Sequence, residues 1–413
     1  MTKRFGFTPV VPPFAGAGQV EDVVSGYMAA LEAMSGERWD AAQYGSPDPL
    51  CFLVATGGTE RVVLDLYTAR QEFVPDEPVL LVAHPGNNSL PASLEVLARL
   101  HQEGARGRIV FLRSPGDDTG LAELAQALDD VAVLATLRGT RIGLVGDPSD
   151  WLVASSPDAD VVRDVWGPEV VPIALSELEV AMDAAVDANV LAAMADLGGG
   201  AYESLEPSEG EMADVARVYA GLQALVDRYD LDALTLRCFD LVLDRNTTGC
   251  FALSALTDAG VISGCEGDLV STVGLLWTSL VTGEVPWMAN PAELDEDANT
   301  LKLAHCTVPR GLVERYRLRS HFESGLGVGI QGDIPLGPVT LARIGGAMMD
   351  ALWLAEGDIT ANGDAENLCR TQVDIALSRG EAGDLLRAPL GNHIILIRGH
   401  HADRLAEWWE TML

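Results

Sequence analysis

The chain has 413 residues, 48% of them hydrophobic and 21% charged, the composition of an ordinary globular protein with room for two or three cores at ~100–200 residues each. Its formal charge of −34 argues against nucleic acid or an anionic membrane as partner, because each is held by a basic face that displaces counterions. No stretch approaches the ~20 apolar residues of a membrane span, and the opening MTKRFGFTPVVPP has no apolar run long enough for a signal peptide, so a cytoplasmic protein is expected.

The first segment alternates strand-like and helix-like pieces: FGFTPVV, VEDVVSGYMAALEAM, PLCFLVAT, PVLLVAHPG, LPASLEVLARLHQEG and GRIVFL. This alternation predicts an α/β domain with an open parallel sheet over 1–137. A second α/β domain is expected over 138–267, from GTRIGLVGDPSDWLVAS through EVVPIAL and Ala-rich helices to the strand DALTLRCFD. After residue 300 the stretch GVGIQGDIPLGPVTLARIGGAMMDALWLAEGDIT carries period-2 alternation and turn residues, so antiparallel sheet or barrel is expected in a last domain, 268–413.

Several loops invite a ligand without specifying one. VATGGTER (54–61) lacks the spacing of a Walker loop or of GxGxxG and reads as a tight turn at a sheet's carboxyl edge. Asn87, Asn88 and Ser89 suit a polyol, or simply a turn and a helix cap. Six cysteines lie scattered without a CxxC pair, which predicts reduced, mostly buried thiols in place of a zinc site. Only Lys3 and Lys302 are lysines, which fits either a salt-adapted host or a GC-rich genome.

Three places can carry chemistry. In LTLRCFDLVLD, Leu234, Leu236 and Cys238 alternate with Thr235, Arg237 and Phe239, which puts Asp240 at the carboxyl end of a strand, placed for a ligand site or simply as a turn or N-cap residue. In GCEGDLVSTVGLL, Glu266 and Asp268 follow a short apolar strand, and Asp268 falls at or beside a helix N-cap. There the helix dipole favours the ionised carboxylate that a hard cation needs, or the residue is only a cap. In GNHIILIRGHH, His393 opens an apolar strand beside Gly391 and Asn392, and His400 and His401 occupy the turn and first helical positions that follow. Three of the seven histidines thus cluster within nine residues.

These segments in this order resemble the L-fucose isomerase/L-arabinose isomerase superfamily. CEGDLVSTVGLLWTSLVTG is similar to its Glu-x-Asp-then-helix motif, and GNHIILIRGHHADRL to its C-terminal Gly-Asn-His stretch. RCFDL, WMANP, LAHCTVP and RSHFESGLGVGIQG look like blocks of the shorter members, so the likeness runs from about residue 235 to the end. It implies two Rossmann-like parallel-sheet domains followed by a C-terminal domain with an antiparallel β-barrel. It also implies a homo-oligomer, trimer or hexamer, in which a neighbour's N-terminal domain closes the site.

Carried over residue by residue, the resemblance implies that Asp268 and His393 ligate a metal, Mn²⁺ or Mg²⁺, with Asp240 as third protein ligand and Asp244 or Glu266 as substitutes. The implied reaction interconverts an aldose and a ketose through an enediol, with Asp240, Asp268 and Glu266 moving protons beside a Lewis-acid metal. His400, Asn392, Arg237 and Trp287 are the expected sugar contacts, Trp151 and Phe322 are further stacking faces, and Trp277 belongs to a core. Two other readings compete: an isomerase or epimerase for a sulfonated, branched or acidic sugar, and a sugar-binding protein without chemistry. No arginine beyond Arg237, Arg343 and Arg370 suggests a clamp for an anionic tail.

Overall fold

Runs such as Leu50–Val54 and Val79–Ala83 are apolar throughout and buried on both faces, the pattern of strands covered by helices on each side of a parallel sheet. In the computed structural model, which describes residues 4–12 and 17–413, these runs do form parallel ladders. The first residues of the stretch read for a signal peptide lie outside the described residues. No helix among the described residues is long and apolar enough to cross a membrane.

The chain divides into two compact units, Met1–Thr136 with Glu407–Leu413, and Leu137–Ala406. The first carries a five-stranded parallel sheet in the order Gly36–Arg38, Phe5–Val10, Leu50–Val54, Val79–Ala83, Gly107–Phe111. Arg70 is wholly buried in this unit. It donates to Glu77 through Nε (2.6 Å) and Nη2 (2.7 Å), and to the carbonyls of Tyr44, Ser46 and Asp48. Removing one partner of such a pair strands a buried charge. Glu77→Gln is therefore expected to cost about 3–5 kcal/mol, read as a lowered midpoint for this unit in urea.

The second unit holds a four-stranded parallel sheet in the order Ile262–Cys265, Ala233–Leu236, Arg141–Val145, Glu169–Ile173. It also holds a closed antiparallel barrel of six strands: Trp287–Asp295, Thr300–His305, Thr371–Arg379, Ala351–Asn362, Gly337–Gly345 and Ile394–Arg398. The barrel thus opens at Trp287, ahead of the change of character read near residue 300. The last strand pairs with the first, Met288 opposite Ile395, which closes the ring.

The helix Leu269–Thr282 is buried along its first ten residues, as expected of a helix apolar on every side. It packs on the parallel strands at one side and on barrel strands at the other. That wedge brings the loop before it, Glu266–Asp268, against the barrel.

One local reading differs. The strand Ala233–Leu236 stops before Cys238, and Cys238–Arg245 is helical. The alternation read through Cys238 gives way because Cys238, Leu241 and Val242 fall at helical spacing, and Cys238 and Leu241 are the buried positions.

Candidate active site

Glu266 owes its place to a turn with little freedom. The residue itself sits at φ 65°, and Gly267 follows at φ 74°. A Cβ on Gly267 would stand 2.7 Å from the Pro148 backbone, so only glycine fits. The turn is tied down by Ser149 N–H donating to Glu266 O (2.9 Å) and Gly267 N–H donating to Leu236 O (3.1 Å). Trp151 Nε1–H donates to Glu266 Oε2 at 2.6 Å, which aims the other carboxylate oxygen into the fold.

Asp268 is both the cap and a support for its neighbour. It N-caps the helix Leu269–Thr282, accepting from Ser271 N–H and Ser271 Oγ–H at 2.7 Å each. Its Oδ2 also lies 2.8 Å from His393 Nδ1. Arg343, fully buried, stands 3.7 Å from the same carboxylate and donates to Ser271 Oγ and Ser155 Oγ at 2.6 Å. Gly391 makes room for that guanidinium, since a Cβ there would meet Arg343 at 2.0 Å.

With Nδ1 engaged by Asp268, His393 turns Nε2 toward Glu266 Oε1 at 3.5 Å. That nitrogen is buried and makes no hydrogen bond. His305, the last residue of its barrel strand, has Nδ1 2.9 Å from Thr307 Oγ1 and its ring 5.5 Å from that of His393. One ligand atom each from Glu266, His305 and His393 lies within 4.8 Å of the others, the only such group of three among the described residues. Two imidazoles and a carboxylate, one nitrogen being orphaned, suit a borderline divalent cation better than Mg²⁺, which prefers oxygen. Asp268 then stands where the second partner of a ligating histidine belongs, fixing its tautomer and orientation.

Charge follows from this geometry. Burial opposes ionisation of Glu266 and Asp268, but His393 beside both, with Arg343 and the Ser271 N–H at Asp268, holds each carboxyl below its usual range. Burial likewise disfavours a charged His393, and the two carboxylates outweigh it, lifting its pKa to about 9. For His305, burial and the neighbouring His393 outweigh the pull of Glu266 and push it down to about 4.

The cluster opens into a cavity of about 520 Å³, a size that suits a monosaccharide. Its lining includes Trp151, Phe239, His321, Phe322, Asn290 and Asn392, with Glu323 as a second carboxylate. Trp151 is half exposed and meets Phe239 edge-on, leaving an aromatic face beside polar amides. Trp151→Phe keeps a ring there and removes only the N–H. It is expected to weaken divalent-cation binding roughly tenfold, as loss of an outer partner does, with an unchanged melting profile.

The remaining residues singled out from the sequence lie elsewhere. Asp240 sits in the first turn of the helix Cys238–Arg245, 2.9 Å from Arg237 Nε, and both line a separate cleft with Asp147 and Asp150. Asp244 is exposed on the same helix. Trp287 is buried in the barrel's apolar core, and Trp277 is buried as expected. His400 is exposed, while His401 is half buried and donates its N–H to Thr340 Oγ1. His305 was missed from the sequence although it lies within LAHCTVP; its position at a strand end was the available signal.

The chain matches no protein-family model. It is similar to curated sulfoquinovose isomerases. The relative from Alkalicoccus urumqiensis is 23% identical over 231 residues, 54% of this chain and 51% of that protein. Those from Priestia aryabhattai and Priestia megaterium are 23% identical over 201 residues, 48% of this chain and 44% of each. The chain spans about half the length of the curated relatives it matches.

Proposed function

We propose that this chain is a metal-dependent sugar isomerase that interconverts an aldose and its ketose through an enediol, with Glu266, His305 and His393 holding a divalent ion, Mn²⁺ before Mg²⁺. The observation that carries the reading is the orphaned, buried Nε2 of His393, facing a carboxylate and a second imidazole at the wall of a sugar-sized cavity. Likeness to enzymes named as isomerases of a sugar agrees with it.

A cation held there supplies Lewis acidity to the carbonyl and hydroxyl oxygens between which the reaction moves charge. The chain's own residues do the rest. Asp268 holds the His393 ring in register, and Trp151 holds Glu266. Asn290 and Asn392 offer amides to sugar hydroxyls, and Trp151 and Phe322 offer faces to its C–H side. Glu266 and Glu323 are the carboxylates at the cavity, so they are the candidates to take a proton from one carbon and return it to the next.

The lining bears on the substrate's charge. Neither lysine nor arginine is among the lining residues. Arg237 belongs to the separate cleft, Arg343 lies behind Asp268, and Arg370 is engaged by Ser320 O and Glu366. With two carboxylates facing it, an uncharged sugar is favoured over an anionic one. The relatives' name favours the second reading, a sulfonated sugar. Incubating Mn²⁺-loaded protein with a panel of neutral aldoses and ketoses alongside sulfoquinovose separates the two. Conversion of sulfoquinovose alone overturns the neutral reading, and conversion of nothing in the presence of bound Mn²⁺ overturns the isomerase.

A cation must also displace the proton on His393. That pKa is raised above the ordinary value of 6.5 to about 9. The imidazolium therefore stabilises the metal-free fold below pH 6.5, and its contribution is lost as pH rises through about 9. Apparent Mn²⁺ affinity is expected to rise about tenfold per pH unit between 7 and that pKa. Titration calorimetry showing equal affinity across this range would remove the proton competition.

A further inference from the structure

Five of the chain's six cysteines, Cys238, Cys250, Cys265, Cys306 and Cys369, line the same cavity as Glu266 and His305. Within that group Cys238 Sγ and Cys265 Sγ are 3.2 Å apart. A disulfide places its sulfurs at about 2.05 Å, so these two have about 1.2 Å to close.

We infer that Cys238 and Cys265 form an oxidation site, a dithiol that a peroxide entering the cavity converts to a disulfide, and that this bond loosens the cation site at Glu266. In the step two S–H bonds break and one S–S bond forms. Two electrons pass to hydrogen peroxide, whose O–O bond breaks, and the two thiol protons leave in the two waters formed.

The coupling follows from the chain's path. Cys265 ends the strand Ile262–Cys265, and Glu266 is the next residue, in the strained turn. Cys238 begins a helix just after Leu236, whose carbonyl is already bound to Gly267 N–H. Drawing the sulfurs together pulls on both sides of that turn, with no slack at Gly267 against Pro148. The Glu266 carboxylate is then displaced from its present place beside His393 and His305. Ligand sets tolerate about 0.5 Å before function suffers.

The second half of the inference rests on the metal reading above; the first does not. The test oxidises the intact reduced protein with hydrogen peroxide, blocks remaining thiols, and digests with trypsin and an acid-specific protease, which separates Cys250 from Cys265. A linked Cys238–Cys265 peptide is expected, with Mn²⁺ affinity lowered about tenfold or more and restored by dithiothreitol. C238S is expected to show the same Mn²⁺ affinity before and after peroxide. A different linked pair, or sulfinic acid without any disulfide, overturns the oxidation site. A Cys238–Cys265 bond with unchanged Mn²⁺ affinity overturns the coupling. Failure of the reduced protein to bind Mn²⁺ at all overturns the metal reading and leaves the peptide result to judge the dithiol alone.

Discussion

His305→Ala and Glu266→Gln are each expected to lower Mn²⁺ affinity by about a hundredfold or more and to abolish sugar interconversion, while circular dichroism stays that of the parent. The magnitude follows from the position of these groups. Loss of a residue that merely orients a ligand costs about 10–100-fold, so loss of a ligand costs at least the upper end. Both substitutions avoid a large hole, since His305 is at a cavity wall and glutamine is isosteric with Glu266. Asp240→Asn is the opposing arm. The family resemblance implies Asp240 as a ligand, whereas the structure pairs it with Arg237 in another cleft. Mn²⁺ affinity that survives in His305→Ala and collapses in Asp240→Asn would move the metal to that cleft.

Where the structure puts Asp240 and His305 shows what the sequence can and cannot carry. The parallel strands are legible because burial on both faces leaves continuous apolar runs such as LCFLV and VLLVA. The barrel is legible where one buried face imposes alternation, as over 355–360 in the strand Ala351–Asn362, whereas 339–345 is buried throughout because the helix Leu269–Thr282 packs on that strand. Glu266, Asp268 and His393 are legible because each sits in a local pattern, a strand end followed by small residues and an apolar element. His305 meets His393 only through the barrel's register, in which Ala304 pairs with Asn290 and Ala289 with Ile394. Nothing within a window around LAHCTVP encodes that meeting. The histidine cluster at the C-terminus misleads for the opposite reason: His393 faces inward at the head of a buried strand, and Gly399 at φ 86° turns the chain so that His400 points to solvent.

Turnover in D₂O is expected to place deuterium on the carbon next to the carbonyl of recovered sugar. Two routes connect an aldose to its ketose, and they differ in what carries the hydrogen. In a hydride shift it passes directly from carbon to carbon, and solvent never sees it. In the enediol route a base removes it as a proton, and a carboxylic acid exchanges that proton with water before returning it. The cavity favours the second. Glu323 is exposed at its lining and Glu266 is held ionised within it, so a carboxylate base is present on the substrate's side. Lys302 is spoken for by Asp374 at 3.1 Å, with Glu293 beyond, and lies outside the lining. Glu323→Gln, which leaves Glu266, His305 and His393 in place, should then retain Mn²⁺ and lose both turnover and label if Glu323 is the carrier. Label that persists in Glu323→Gln assigns the proton to Glu266. Mass spectrometry of the sugar after partial conversion reads all of these, and complete absence of deuterium from a sugar that has turned over reduces both carboxylates to binding and ligation.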